Sequence, residues 1–349
     1  MKSPSVSSKD ITIYAMKYFQ GEPRGGSQIV FKKCVDVLLE KYNVKIISPF
    51  DNLQVISGNG FKVNFKRTIF RLFKILKINS VSNRLIRSGK NLFGETELCS
   101  IAYIQPPAEN KYPFILDVLI ERFLGILDVL SRFGRDNRRL IIYNSAFTMN
   151  KFRVVKKDSV ERVLLPGILK NIPKVYYNDK QDQIVVTISR ISREKNLEAL
   201  GNILRGIECK HFIIGYCSDF KYLNYLKLLL PNSKIIPNGT EEEKNLLLKQ
   251  AKILIHPSIN EPAGMVYMEA MSYGVIPIAH DSGGTREIVP EKYRYENPRE
   301  ACLKIKQYLD TYDENVMSSL QELSREFTEE NFRKNLLSIM EEYFTLRKS

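Results

Sequence analysis

The sequence lacks tryptophan and contains few histidines and cysteines, the residues from which structural zinc sites are built. Its 349 residues include no tryptophan, three histidines and five cysteines, and no two cysteines form a Cys-x-x-Cys pair. Structural zinc sites are built from such clusters, so we expect no structural zinc and a reduced, cytoplasmic compartment. The chain also lacks an apolar run of about 18 residues and an apolar signal core, which predicts a protein that does not span a membrane.

Positive charge is what the chain has in excess. Lys and Arg number 53 against 39 Asp and Glu, which gives a formal charge of +14 and a pI of about 9.4. This balance implies an anionic partner, and nucleic acid, anionic lipid and a phosphorylated substrate all fit it. Hydrophobic residues make up 44% of the chain. That fraction can build cores, and the length suits two α/β domains of about 150–180 residues each.

Strand and helix patterns alternate along the chain. In the first half a strand, a glycine-rich loop, a helix and a second strand open a doubly wound sheet. The elements predicted in the first half span 11–14, 27–41, 44–48, 101–104, 114–130 and 140–143. The second half repeats the alternation, which favours a second parallel sheet. Its predicted elements span 184–188, 212–214, 234–236, 241–250, 253–256, 265–273 and 275–279, and a long helical stretch over 313–346 closes the chain.

Two carboxylates lie within a strand-loop-helix segment of the second half. The strand ends at His256, a loop rich in proline and glycine follows, and a helix begins near Met265. The free N–H groups at such a helix end attract anions. Glu261 in the loop and Glu269 one turn into the helix can therefore face one ligand. Glu261 fits equally well as a cap or dipole partner of the helix.

Two further strands are followed by charged or glycine-rich loops. Arg190 and Lys195 follow the first strand of the second half, at the sheet edge where open α/β sheets bind ligands. Arg can hold phosphate through two hydrogen bonds, and Lys can neutralise it as a point charge. Gly283 and Gly284 can turn the backbone tightly and present N–H groups to an anion, with Glu287 just beyond. The alternatives are a solvated basic loop and a simple turn.

Taken together, three motifs carry a resemblance to a known family. They are Arg190-x4-Lys195, Glu261-x7-Glu269 and Gly283-Gly284-x-x-Glu287. In order and spacing they resemble the family 4 glycosyltransferases, most strongly over about residues 184–300. The resemblance implies a GT-B fold, in which two Rossmann-like, doubly wound parallel-sheet domains are separated by a cleft. The predicted parts are an acceptor-binding domain at 1–170, a nucleotide-sugar-binding domain at 171–330 and a C-terminal helix at 331–349 that packs back on the first domain.

The resemblance also assigns roles to residues of this sequence. Arg190 and Lys195 would bind the donor diphosphate, and Glu269 would bind the ribose hydroxyls. Glu261 would contact the transferred sugar, and together with Arg190 and Lys195 it would form the catalytic group. The remaining donor contacts would come from Gly26, Gln105, Gly264, Met265 and Val266. Many members of the family carry a histidine at the position of Gln105, and glutamine hydrogen-bonds a sugar hydroxyl without titrating near neutrality.

Catalysis without a metal ion is the chemistry that this arrangement suggests. The chain contains no Asp-x-Asp, which is the usual Mg²⁺ or Mn²⁺ clamp of the other large glycosyltransferase fold. Cations and helix N–H groups would instead stabilise the negative charge that grows on a departing nucleoside diphosphate. The resemblance implies retention of the anomeric configuration, with the departing phosphate accepting the proton of the acceptor. The expected donor is GDP-mannose or a UDP-sugar.

A basic amphipathic segment in the first half suggests a membrane surface. Residues 62–90 carry nine basic and no acidic side chains, with apolar residues at helical spacing. Such a helix is typical of binding to anionic lipid, although it also fits an ordinary helix packed on the sheet. The membrane-surface residues that we predict are Lys66, Arg67, Arg71, Phe73, Lys74 and Lys77. Here the sequence most resembles mannosyltransferases that extend lipid-linked oligosaccharides, on the cytoplasmic face of a membrane.

The leading hypothesis from sequence is therefore a retaining hexosyltransferase acting on a glycan or lipid-linked acceptor. A nucleotide-sugar 2-epimerase of the same fold is the first alternative. Such an enzyme needs titratable groups around the sugar, and this sequence has only three histidines. A basic nucleic-acid-binding protein is the second alternative. It is disfavoured because the sequence shows neither a stacking motif nor a zinc finger. Patterns in the sequence do not distinguish the donor base, the acceptor or the oligomeric state.

Overall fold

The computed structural model describes residues 10–14, 26–47, 101–104, 139–152, 159–181 and 183–346. These residues divide into two compact units. The first unit takes the described residues up to 144, those between 148 and 164, and those from 333 onward. The second unit takes 145–147 and 165–332, and every strand pairing in either unit is parallel.

The first unit opens with the predicted strand-helix-strand arrangement. Strand β1 (Asp10–Tyr14) pairs in parallel with β2 (Asn43–Ile47), and helix α1 (Gly26–Lys41) connects them. Parallel neighbours need such a crossover, because a tight turn can join only antiparallel strands. Helix α1 buries an apolar stripe that consists of Val30, Cys34, Val35, Val37 and Leu38.

Three more parallel strands of the first unit form a second sheet in the order β3, β4, β5. They are β3 (Ile101–Ile104), β4 (Arg139–Tyr143) and β5 (Ser159–Val163), with helix α2 (Ala146–Phe152) between β4 and β5. The sequence did not predict α2 or β5. Helix α2 is only 7 residues long and β5 has charged residues in its middle, so neither gives a strong hydrophobic period. The predicted helix at 114–130 lies outside the described residues.

The second unit contains a six-stranded parallel sheet in the order β11-β10-β9-β6-β7-β8. Its strands are β6 (Ile184–Ile188), β7 (Lys210–Gly215), β8 (Ser233–Pro237), β9 (Ile253–His256), β10 (Ile276–His280) and β11 (Arg294–Tyr295). Its helices are α3 (Leu200–Ile203), α4 (Phe220–Leu229), α5 (Glu241–Gln250), α6 (Met265–Ser272), α7 (Thr285–Ile288), α8 (Pro298–Asp310) and α9 (Glu314–Ser324). The alternation predicted from sequence is confirmed.

Burial explains why the predictions for the second half lie close to the structure. All four residues of β9 are buried, as are the first four of β6, and such continuous apolar runs are typical of central parallel strands. Helix α5 begins with a capping box in which Thr240 and Glu243 each accept a backbone N–H of the other. These local signals fix the ends of the elements that lead to the site.

The C-terminal stretch differs from the single helical run expected over 313–346. Helix α9 ends at Ser324, a short 3₁₀ turn follows, and α10 (Glu329–Leu346) begins separately. Backbone bonds from Ile168 and Leu169 to the carbonyl of Phe327 hold the chain at this break. Helix α10 from residue 333 onward counts with the first unit. There it forms ion pairs that link Arg333 with Glu40, Glu341 with Lys41 and Glu342 with Arg162.

Candidate active site

The strand order of the second unit creates a point where ligands bind in open α/β sheets. The chain runs from the central strand β6 outward through β7 and β8, then returns to the other side of β6 as β9. Connections that leave in opposite directions open a crevice at the carboxyl ends of the two strands. The loops that follow Ile188 and His256 therefore start side by side, and both carry residues predicted from sequence.

An ion pair joins these two loops. Lys195 Nζ lies 2.7 Å from Glu261 Oε2, and the two side chains are only 17% and 15% exposed. Asn196 adds a second link, because its side-chain amide donates to the carbonyl of Pro257 at 3.1 Å. The structure thus brings together a lysine and a glutamate that are 66 residues apart in sequence.

The backbone of Asn196 has a conformation that is unusual for a residue with a side chain. Its φ is 53°, in the left-handed region that most side chains avoid. Asparagine adopts that region more readily than other residues that carry a side chain. The asparagine thus keeps the turn and adds the hydrogen bond to Pro257.

The charge state of Glu261 follows from its surroundings. Burial by itself raises the pKa of this carboxyl, but the nearby His256 ring and the charge of Lys195 outweigh burial and hold the pKa well below its usual range. His256 Nε2 lies 3.7 Å from Glu261 Oε2. Burial lowers the pKa of His256, although Glu261 opposes this shift. Near neutral pH Glu261 is therefore an anion and His256 is uncharged.

Helix α6 begins directly after Glu261 with its N-terminus uncapped by any side chain of the described residues. The N-cap is Gly264 in a left-handed conformation, with φ of 41°. A Cβ atom at Gly264 would lie 2.3 Å from the ring of Tyr267, so a larger residue does not fit. Since Glu261 bonds Lys195 instead of capping the helix, its interpretation as a helix cap is wrong. The first amides of α6, including those of Met265 and Val266, have no carbonyl partner within the helix.

The loop after β10 packs against the same segment. Gly284 N–H donates to the carbonyl of Glu261 at 2.8 Å, and a Cβ atom at Gly284 would lie 2.0 Å from the carbonyl of Pro262. At Gly283 a Cβ would lie 2.6 Å from the Glu261 carbonyl. The expectation that these glycines present N–H groups to an anion is therefore wrong for Gly284. The two glycines instead allow one backbone to approach the other, which fixes the loop that carries Glu261.

Glu287, the last residue of the third motif, binds protein backbone. Its Oε2 accepts the N–H of Ala146 at 2.7 Å, and its Oε1 accepts the N–H of Phe147 at 2.9 Å. These are the first two amides of α2, so Glu287 caps a helix distant in sequence. Ala146, Phe147 and Glu287 all belong to the second unit.

Comparison with known proteins gives matches to the segment that carries these motifs. Residues 170–314 match the family described as "Glycosyl transferases group 1". The matched segment contains the ion pair, helix α6 and the double glycine. Glycogen synthase 1 of Nitrosococcus oceani is 29% identical over 125 residues, which cover 33% of this chain and 26% of that protein. The chain covers only 26% to 36% of the length of the first curated relatives it matches.

Solved structures show the fold. Sucrose-phosphate synthase from Thermosynechococcus elongatus has a TM-score of 0.65 at 14% identity, covering 97% of this chain and 100% of that chain. Anabaena HepE, solved in complex with UDP and glucose, has a TM-score of 0.60 at 13% identity and covers 96% of this chain and 100% of its own. The α/β GT-B fold predicted from sequence is confirmed, as is the resemblance of the second half to glycosyltransferases.

The remaining predicted residues lie in several places. Arg190 is 54% exposed and forms an ion pair with Glu194 at 2.7 Å, so the structure does not bring it to the pair of Lys195 and Glu261. Gly26 is the first residue of α1, in the first unit. The residues that lie outside the described part of the chain are Gln105, Lys66, Arg67, Arg71, Phe73, Lys74 and Lys77. No helix of the described residues combines the length and the apolar character needed to cross a bilayer.

Glu269 bonds a residue that sequence reasoning missed. Its Oε1 lies 2.5 Å from Nζ of Lys244, which also lies 2.7 Å from Oε2 of Glu241. A lysine one turn into a capped helix carries no sequence signal of such a contact. His256 was noted only as the end of a strand, and its place beside Glu261 was likewise missed. In the part of the chain that is described, no group of three or more His, Cys, Asp or Glu side chains could hold a metal ion.

Proposed function

We propose that the protein is a retaining, metal-independent hexosyltransferase that uses a nucleotide diphosphate sugar as donor. The observation that carries the proposal is the half-buried pair of Lys195 and Glu261 beside the uncapped N-terminus of α6, at the switch point of the sheet. The match of residues 170–314 to the glycosyl transferases group 1 supports it. The glycogen synthase relative supports it as well.

Positive charge at the switch point suits a diphosphate leaving group. When the bond between the anomeric carbon and the phosphate oxygen breaks, negative charge grows on that oxygen. Lys195 and the free amides of Met265 and Val266 stabilise this charge in the proposed complex. Arg190 is exposed and pairs, within the described part of the chain, with Glu194, so it can turn to the outer phosphate when the donor binds. Because Lys195 and the amides of α6 are in place before the donor arrives, little reorganisation of these groups opposes the reaction.

Glu261 acts on the sugar in this proposal. It is ionised at neutral pH, so it accepts hydrogen bonds from sugar hydroxyls and does not donate a proton. The acceptor oxygen forms the new bond to the anomeric carbon on the face that the phosphate leaves. Its proton passes to the departing phosphate oxygen. Because the new bond forms on the face that the phosphate leaves, the anomeric carbon keeps its configuration. His256 stays uncharged and contributes packing beside Glu261.

For the donor we propose a hexose on GDP or UDP. The resemblance to lipid-linked oligosaccharide enzymes favours GDP-mannose, and Anabaena HepE, which was solved with UDP-glucose, supports a UDP-sugar. The acceptor that we propose is a glycan or a lipid-linked sugar at the cytoplasmic face of a membrane. We assign acceptor binding to the first domain and donor binding to the second.

The test is sugar transfer or slow donor hydrolysis with GDP-mannose and UDP-glucose in the presence of EDTA. We expect activity with one donor to persist in EDTA. Lys195→Ala and Glu261→Ala should each lower kcat/KM by about 100-fold or more, since removal of one preorganised charge typically costs that much. Release of the sugar with retained anomeric configuration should be visible by NMR.

Arg325→Ala is a matched control, because Arg325 forms an exposed ion pair with Glu322 outside the site. That variant should keep wild-type activity. Full activity in both site variants would overturn the assignment of Lys195 and Glu261. Loss of activity in EDTA that Mg²⁺ restores would overturn the metal-independent mechanism, and conversion of the donor to its 2-epimer would favour the epimerase.

A further inference from the structure

Lys244 of helix α5 forms an ion pair with Glu269 of α6, the second glutamate of the E-x7-E motif. Lys244 Nζ lies 2.5 Å from Glu269 Oε1, and the two side chains are 16% and 22% exposed. Glu241, the other partner of Lys244, is 77% exposed. The contact between Lys244 and Glu269 is therefore half-buried, whereas Glu241 contacts Lys244 from the solvent side.

The contacts of Lys244 keep its side chain positively charged near neutral pH. Burial by itself lowers the pKa of Lys244, but the carboxylates of Glu269 and Glu241 outweigh burial and hold the pKa above its usual value. Lys244 thus remains a cation. Half-buried ion pairs of this kind restrict the side-chain rotamers of both partners more than exposed pairs do.

The pair stands near the carboxyl edge of the sheet. Three residues separate β8 from helix α5, and Lys244 is the fourth residue of that helix. Glu269 is the fifth residue of α6, the helix whose free N-terminus adjoins Lys195 and Glu261. Both members of the pair therefore lie within about one turn of the edge at which open α/β sheets bind nucleotides.

We infer that Lys244 is a positioning residue for the nucleotide ribose, which it orients through Glu269. This inference rests on the proposed function, in which Glu269 accepts the two ribose hydroxyls. An ionised carboxylate offers about four acceptor positions. Lys244 occupies Oε1 from one side, so it fixes the rotamer of Glu269 and leaves Oε2 and the second lone pair of Oε1 for the ribose. Its charge also offsets the repulsion between Glu269 and the donor diphosphate.

Binding of UDP and GDP, each compared with its 2′,3′-dideoxy counterpart, tests this by calorimetry. The wild-type protein should bind one ribonucleotide more tightly than the dideoxy form. Lys244→Gln should reduce this preference about five- to tenfold, the cost of a misplaced hydrogen bond to a charged group. The loss should fall on the ribonucleotide alone. Lys244→Arg should restore most of the preference, and Lys249→Gln, which alters an exposed lysine of the same helix, should leave it unchanged.

The outcomes separate the two claims. If neither UDP nor GDP binds the wild-type protein, the proposed function fails and the role of Lys244 fails with it. If a nucleotide binds and Lys244→Gln keeps the wild-type preference, only the role of Lys244 fails. Equal weakening of the ribo and dideoxy forms in both Lys244 variants would show a purely structural role and would also overturn the inference.

Discussion

Lys180 is a buried lysine outside the candidate site. It is 9% exposed, and its Nζ donates to the carbonyl of Leu248 at 3.0 Å and to that of Tyr273 at 2.8 Å. These carbonyls lie at the C-terminal ends of α5 and α6. Carbonyls there lack helical partners and carry the negative end of the helix dipole, so one lysine satisfies two helices.

This burial predicts a pH dependence of stability. Burial lowers the pKa of Lys180 from its ordinary value of 10.5 to about 7, with Asp179 opposing the shift. Between these values the unfolded chain binds more protons than the folded chain, so the free energy of unfolding rises with pH. Urea denaturation of the wild type and Lys180→Met should show the wild type gaining stability relative to the variant between pH 7 and about pH 9.5.

The comparison with the variant removes the contributions of other titrating groups, since both chains share them. A stability difference that stays constant over this pH range would show that Lys180 keeps its ordinary pKa. A difference that falls as the pH rises would show that its partners stabilise the charged form.

At the scale of elements, capping across the chain determines where α2 begins. Glu287 on α7 supplies both oxygens to the first two amides of α2. A carboxylate at this position combines hydrogen bonding with a favourable interaction with the helix dipole. The third sequence motif therefore ends in a residue, Glu287, that caps the N-terminus of α2.

We expect Glu287→Gln to destabilise the protein by about 1 kcal/mol and Glu287→Ala by about 2 kcal/mol, because alanine removes both acceptors. The measurement is the free energy of unfolding from urea titration. Glu208→Gln serves as control, since Glu208 is exposed in the loop between α3 and β7. Stability of Glu287→Ala equal to that of the control would contradict the capping role.

At the scale of the whole molecule, the charge of +14 favours an anionic partner. The membrane prediction assigns it to residues 62–90, which lie outside the described residues. In flotation with anionic vesicles at low salt, the protein should rise with the lipid and should be released at high salt. Replacing Lys66, Arg67, Arg71 and Lys74 by Gln should abolish flotation, since each basic residue contributes about 1 kcal/mol at such a surface.

A variant with four exposed basic residues of the second unit replaced by Gln controls for net charge. Its replaced residues are Lys221, Lys227, Lys249 and Arg325. If both variants float equally, the charge of the whole chain and not this segment binds lipid. If the wild type stays at the bottom at low salt, the membrane prediction is wrong.

Local patterns were sufficient for five of the six strands of the second half and for α5 and α6, whereas α4 and α8 were not predicted. Its strands are continuous apolar runs that punctuation by Gly, Pro and Asn ends cleanly, and its helices carry cap signals such as that of Thr240 and Glu243. The break near Phe327 was missed because tertiary backbone bonds, not a Pro or Gly, stabilise it. Helix α2 was missed because its cap comes from Glu287, 140 residues away.

The sequence by itself determined the α/β alternation, the excess of positive charge and the spacing of Lys195, Glu261 and Glu269, because each depends only on the identity and order of the residues along the chain. Only the tertiary structure decided what these side chains contact. Sheet order brought Lys195 to Glu261, and the crossing of α5 beside α6 brought Lys244 to Glu269. Such contacts depend on which strands and helices become neighbours, and burial of the whole core sets that choice.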